Sequence, residues 1–276
     1  MEVTNIINAI NVIAEKIFKS VEGEVFKGLD DLLIINHEIL DKEPLKMLFA
    51  KNDGEGLIVL VTSFVIFFLV YYLIARMIAM YNGENVDNIF KYMLRIIVCV
   101  ICSTSSLFIL EQVLNINGLL TESITSVGRD LTGEKICFEN LRELVLNLDE
   151  YMSKEAISID GIIKGVISFG ATTILITFAI RYVTIIFLSI ISPIAIMFAA
   201  SSSTYGIFKN WVRMFLGNLL IQNVIVIILM IPLSVRNVDS DLFKIILVGS
   251  IYLLYRINNF SKEFLGNISE QIVRRK

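Results

Sequence analysis

Apolar residues run almost without interruption from Ile162 to Val235. Before a polar break at Ser201–Gly206, Lys164 and Arg181 are the only charges in that stretch; after it, Lys209 and Arg213 are the only ones. A soluble domain of this size cannot bury so long a run, so lipid has to solvate it. Upstream, Leu57 to Ala75 gives 19 uncharged residues, which at 1.5 Å per residue reach about 28 Å and match the hydrocarbon core. Tyr71, Tyr72 and Arg76 near its end have the make-up of an interfacial anchor. Ile96 to Leu110 reads as a second, shorter span that Arg95 can lengthen by lifting its guanidinium to the interface.

The 40 residues from Gly161 to Ala200 would extend about 60 Å as one helix, twice the hydrocarbon thickness. Two spans joined near Arg181 would solve the length problem. Yet TFAIRYVTIIF holds no Gly, Pro, Asn or Asp, and a tight hairpin without a turn residue is hard to build. The pattern therefore predicts one helix from about Gly161 to Ser192, interrupted at Pro193, and a second piece to Ala200. Ile207 to Phe215 reads as an interfacial entry to a span over Met214–Val235 that breaks near Pro232. Phe243–Tyr255 is a short last span between Lys244 and Arg256. The expected fold is all-α: a polytopic membrane protein with five transmembrane helices, or six in the hairpin alternative.

The remaining segments are amphipathic. Ile6, Ile7, Ile10, Ile13, Ile17 and Val21 recur at helical spacing, with Thr4 as a cap, and Val25, Leu29, Leu32, Leu33, Ile39 and Leu40 follow. Acids outnumber bases here, which favours packing against protein over binding to anionic lipid. Between 111 and 160, ten acids face four bases, and Phe138, Leu141, Leu144, Val145 and Leu148 share one helical face. The expected organisation is thus an amphipathic segment over 1–56, two spans over 57–110, a polar loop with an amphipathic helix over 111–160, a membrane core over 161–256 and a basic amphipathic tail over 257–276. The first residues lack the basic start of a secretory signal.

Composition agrees: 55% of the 276 residues are hydrophobic and 18% charged, with three prolines. A net charge of −3 argues against general electrostatic capture of nucleic acid. The location of the charges separates the span models. With five spans, one side receives Arg76, Lys91, Arg95, Lys209, Arg213, Arg256, Lys262, Arg274, Arg275 and Lys276, while the other receives the two acidic segments and Arg236. The positive-inside rule then puts the C-terminus in the cytoplasm and the N-terminus and 111–160 outside. With six spans the asymmetry cancels.

Catalytic chemistry finds no foothold. One histidine, His37, precludes two-histidine metal motifs, and no phosphate-binding glycine loop is present, so neither an enzyme nor a cofactor is expected. Cys99 and Cys102 have CxxC spacing inside an apolar run, where a thiolate is disfavoured, and read as small packing residues; Cys137 reads as a free thiol. Arg181 either faces a bundle interior or an aqueous path, or reaches the headgroups by a shift of its helix. Gly161 and Gly165 at GxxxG spacing, followed by Gly170, suit close helix packing, including packing between identical subunits. Asn218, Gln222 and Asn223 need partners in lipid, either on neighbouring helices or along a wet path. Trp211 between Lys209 and Arg213 reads as an interfacial belt residue or as a contact with a cytoplasmic partner.

The order of these features is similar to that of the TrbL family, the polytopic channel subunits of conjugal-transfer (type IV secretion) machines. It is carried by a long apolar helix with Arg181, a turn at Ser192 and Pro193, a polar break, and FKNWVRMFLGNLL with Phe208, Trp211 and Arg213. The likeness covers roughly Ile162 to Val235. It implies a subunit of the bacterial cytoplasmic membrane that helps form a passage for DNA or protein. Its partners would be other secretion subunits, separate secretion ATPases, copies of itself in a homo-oligomer, and translocating DNA in passing. The alternatives are a small-molecule transporter permease and a non-channel membrane anchor for a protein complex. A permease would show internal repeats, and none is evident.

Overall fold

The structure, a computed structural model, describes residues 13, 16, 24–35, 37–40, 57–83, 89–146, 159–201, 204–235, 242–243 and 245–257. Among them every regular element is a helix. In chain order these are α1 (Glu24–Leu33), a 3-10 turn (His37–Ile39), α2 (Leu57–Tyr81), α3 (Ile89–Thr104), α4 (Ser106–Thr132), α5 (Phe138–Leu146), α6 (Ile159–Ile190), α7 (Ser192–Met197) with a 3-10 turn (Phe198–Ala200), α8 (Tyr205–Val235) and α9 (Ile245–Ile257). Of the expected pattern from Ile6 to Val21 only Ile13 is described, and the basic tail beyond Ile257 lies outside the described residues.

The chain divides into two compact units: residues 1–35, 118–182 and 220–276 in one, and 36–117 and 183–219 in the other. In the first, α1 buries Phe26, Leu29 and Leu33, a spacing of three and four residues that places them on one face. Gly28 does not interrupt it. These side chains share a core with Ile136, Phe138 and Leu141 beside α5, with Ile167, Ile174 and Phe178 of α6, and with α8 and α9. Asp30 fixes the angle between α1 and α5. Its carboxylate accepts the backbone N–H groups of Phe138 at 2.7 Å and Glu139 at 3.0 Å, so the first turn of α5 is capped by a residue more than 100 positions away.

In the second unit, α2 and α3 pack on the short α7. Val65, Tyr72, Ile96, Cys99, Met197 and Ala200 form its core. Side chains of α2 and α3 hydrogen-bond to carbonyls of α7. The Ser103 hydroxyl donates to the Pro193 carbonyl at 2.7 Å, and the Tyr72 hydroxyl to that of Met197 at 3.0 Å.

The helix α6 passes through Arg181 without a turn and ends at Ile190, one residue before the Ser192–Pro193 step. By contrast, the expected second span, Ile96–Leu110, straddles a bend of 66° between α3 and α4. The sequence there is Ser103-Thr104-Ser105-Ser106, and Thr104 turns its hydroxyl back onto the carbonyls of Val100 and Ile101, a local competition that bends helices. Beyond the bend, α4 continues to Thr132 through residues that the polarity pattern assigned to a loop. It stops where Gly133 adopts φ +74° and donates to Arg129 O, a left-handed helix end that glycine tolerates best. At the other expected break, α8 runs through Pro232 to Val235. The proline costs one backbone bond in the last turn without ending the helix.

Candidate functional site

Four polar residues buried in the first unit, Thr121, Arg181, Gln222 and Asn223, converge on one place. Along α6, Ile167, Ala171, Ile174, Phe178, Arg181 and Ile185 are buried at helical spacing, so Arg181 stands on the stripe that faces inward. Along α8, Leu219, Gln222, Asn223, Val226 and Leu229 are buried on a common face. Two apolar helices therefore present a guanidinium and two amides to the same interior.

Gln222 is the hub. Its Oε1 accepts the Ile35 backbone N–H at 2.8 Å and the Arg181 Nη2 at 3.1 Å, while its Nε2 donates to the Thr121 hydroxyl at 2.8 Å. The Thr121 hydroxyl in turn donates to Asn223 Oδ1 at 2.8 Å. Arg181 Nη2 also donates to the Leu33 carbonyl at 3.3 Å, and its guanidinium lies 5.7 Å from the centroid of the Phe178 ring. One hydrogen-bonded chain thus joins the end of α1 to α4, α6 and α8. In a medium without water, each of these bonds replaces one the group would otherwise lose.

Arg181 is 2% exposed, so its charge is inside the protein. Its Nε and Nη1 are buried with no hydrogen-bond partner, and among the described residues no carboxylate pairs with it. The members of the network are guanidinium, amide, hydroxyl and peptide groups, none of which changes protonation near neutral pH. They hold and orient; they do not shuttle protons. Among the described residues there is also no cluster of three metal-ligating side chains.

The other candidates fall elsewhere. Asn218 donates to the Met214 carbonyl of its own helix at 2.8 Å and takes no part in the network. Gly170 marks a close approach: a Cβ there would strike the Ile251 side chain, so α6 and α9 touch where only glycine fits. Gly161 and Gly165 lie on the helical backbone of α6, but their surroundings are outside the described residues. Pro193 is buried in the second unit. There Trp211 donates its indole N–H to the Leu188 carbonyl at 3.0 Å and stacks on Phe215 with an interplanar angle of 7°. Lys209 is exposed beside it and Arg213 half-buried. Gln222 and Asn223 were legible in the sequence as amides in an apolar span. Thr121 and the α1 terminus were not, since their only signal is contact between segments far apart in the chain.

Three of the described helices are long and apolar enough to cross a membrane, Ser63–Tyr81, Val166–Ile190 and Tyr205–Val235, or four if the bent α3–α4 pair is one span. On α2, Phe64, Phe67, Leu73, Ile74, Met77 and Ile78 are all exposed, a surface that water would not tolerate. The chain is an α-helical, membrane-embedded protein. Comparison with family models, with curated proteins and with solved structures gives no match.

Proposed function

We propose that the chain is a channel or scaffold subunit of a type IV secretion (conjugal-transfer) machine in a bacterial cytoplasmic membrane, helping form the passage for DNA or protein. The observation that carries this reading is the unbroken course of α6 past a buried Arg181 to the Ser192–Pro193 step, with the return through Phe208, Trp211 and Arg213 into α8. That is the order of features for which the TrbL-like reading stands. In this reading the five spans are α2, the bent α3–α4 pair, α6, α8 and the short α9. The N-terminus and the α5 region are outside, and the basic C-terminus is cytoplasmic. The Trp211 indole is spent on holding α6 to α8, so contact with a cytoplasmic partner such as a secretion ATPase falls on Lys209 and Arg213. The remaining partners are other membrane subunits, further copies of the chain, and cargo in transit.

The test is deletion of the gene in its host, with conjugal transfer and solute uptake measured side by side. Transfer should fall by orders of magnitude with uptake unchanged. Unaltered transfer sinks the proposal, and a selective loss of uptake would favour a permease. Photocrosslinking to DNA during transfer separates a passage from a non-channel anchor.

A further inference from the structure

The end of α1 is fastened to the membrane helices in an unusual way. Leu33, the last residue of α1, directs its carbonyl to Arg181 at 3.3 Å, and Ile35 gives its N–H to Gln222 at 2.8 Å. The carbonyl end of a helix carries partial negative charge, so the α1 terminus stands against the guanidinium where a counter-ion would be expected. It is a weak substitute. A buried charge normally demands a full opposite charge, and Arg181 has none among the described residues. Two of its three nitrogens also lack an acceptor, and a buried donor left without one carries its full desolvation penalty. The two Nη2 bonds offset part of that cost, and only the one to Leu33 belongs to α1. At Arg181 the docked arrangement is therefore a balance of lost and gained bonds, and the apolar core that Phe26, Leu29 and Leu33 share with α6 holds α1 down.

Withdrawal of α1 would change that balance in one step. The Leu33 carbonyl leaves, water enters, and the guanidinium regains the acceptors that it lacks when dry. Gln222 loses its bond to Ile35 but keeps Thr121. We propose that α1 is a strap that closes over Arg181, and that exchange between a dry, strapped guanidinium and a hydrated, open one is a conformational switch of this unit. The inference goes beyond the secretion reading and does not depend on what the protein transports. It rests on the Leu33–Arg181 and Ile35–Gln222 bonds together with the absence of a counter-charge at Arg181 among the described residues.

Amide hydrogen exchange over residues 24–35, measured on the full chain in lipid nanodiscs, tests it. A disulfide between Gly28→Cys and Leu175→Cys, in a chain whose native cysteines are replaced by alanine, provides the closed reference. Without the crosslink, the segment should exchange at least about tenfold faster than with it. Arg181→Met removes the charge that favours opening and keeps an apolar chain of similar length, so exchange should slow toward the crosslinked value. Two results overturn the strap: exchange as slow without the crosslink as with it, or exchange in Arg181→Met equal to or faster than in the parent, which would make the arginine a simple fastener. Should Arg181→Met fail to fold, the crosslink comparison alone decides.

Discussion

Asp30 shows how a single side chain sets local geometry and a dependence on pH. Its two oxygens occupy the N-terminal donors of α5, yet burial outweighs those bonds and raises its pKa above the ordinary 3.8. An acid with a raised pKa binds its proton more tightly in the folded state. Its contribution to stability is therefore fully present below the ordinary carboxylate range and is lost as pH rises through the raised value. The protection of the α5 amides relative to free peptide should accordingly fall as pH rises through that raised value, and Asp30→Asn should flatten that profile. Asp30→Ala removes both acceptors and should destabilise the α1–α5 pair by about 1–2 kcal/mol, the usual cost of a lost cap, read as the shift in local exchange at fixed pH. Asp30→Asn retains one acceptor and should lose less. Equal losses for the two variants would mean that the cap contributes nothing beyond bulk.

At the scale of elements, the broken helix α7 depends on hydroxyls from its neighbours. Ser103→Ala removes the hydroxyl bond to the Pro193 carbonyl and should cost about 0.5–1.5 kcal/mol. Tyr72→Phe removes the bond to Met197 but keeps the ring stacked on Phe68 and should cost about 1 kcal/mol. Both are measurable as thermal shifts of the protein in detergent. The α6–α9 contact makes an opposite kind of demand. Gly170→Ala should destabilise, and adding Ile251→Ala should recover most of the loss, because the clash is with that one side chain; failure of the pair to recover would place the strain elsewhere. These contacts mark the limit of what the sequence tells. The continuity of α6 was readable because a turn needs particular residues and TFAIRYVTIIF has none. The kink at Pro193 was readable because proline lacks a donor. The bend at Ser105 was not foreseen, since hydroxyl residues bend a helix only where packing permits it. Nor was the helical path of Thr121 and Ser123, whose polarity reads as loop until their partners on α8 and along α4 itself are known. Arg181 could be singled out from the sequence, but not the α1 terminus that meets it: helix α1 precedes it by some 150 residues, and only the fold brings the two together.

At the scale of the whole molecule, the decisive quantity is the side of the membrane on which each polar segment emerges. The bend between α3 and α4 allows that pair to cross once or to enter and return, and the two cases invert everything that follows. The five-span proposal takes the single crossing, because only then would Lys91, Arg95, Lys209 and Arg256 share one side. Cysteines introduced at Glu139, exposed on α5, and at Lys209, exposed at the start of α8, report the choice directly. In intact cells a membrane-impermeant maleimide should label Glu139→Cys at once and Lys209→Cys only after the membrane is opened. Labelling of both from outside would require α6 not to cross, labelling of Lys209→Cys alone would make α3 and α4 re-entrant, and either would remove the five-span arrangement. Labelling of neither until the membrane is opened would place α5 in the cytoplasm with Lys209, which the charge asymmetry forbids. The same pair of sites also separates five spans from six. A hairpin at Arg181 would return the Lys209 end to the side of Glu139, whereas a single continuous α6 keeps the two apart.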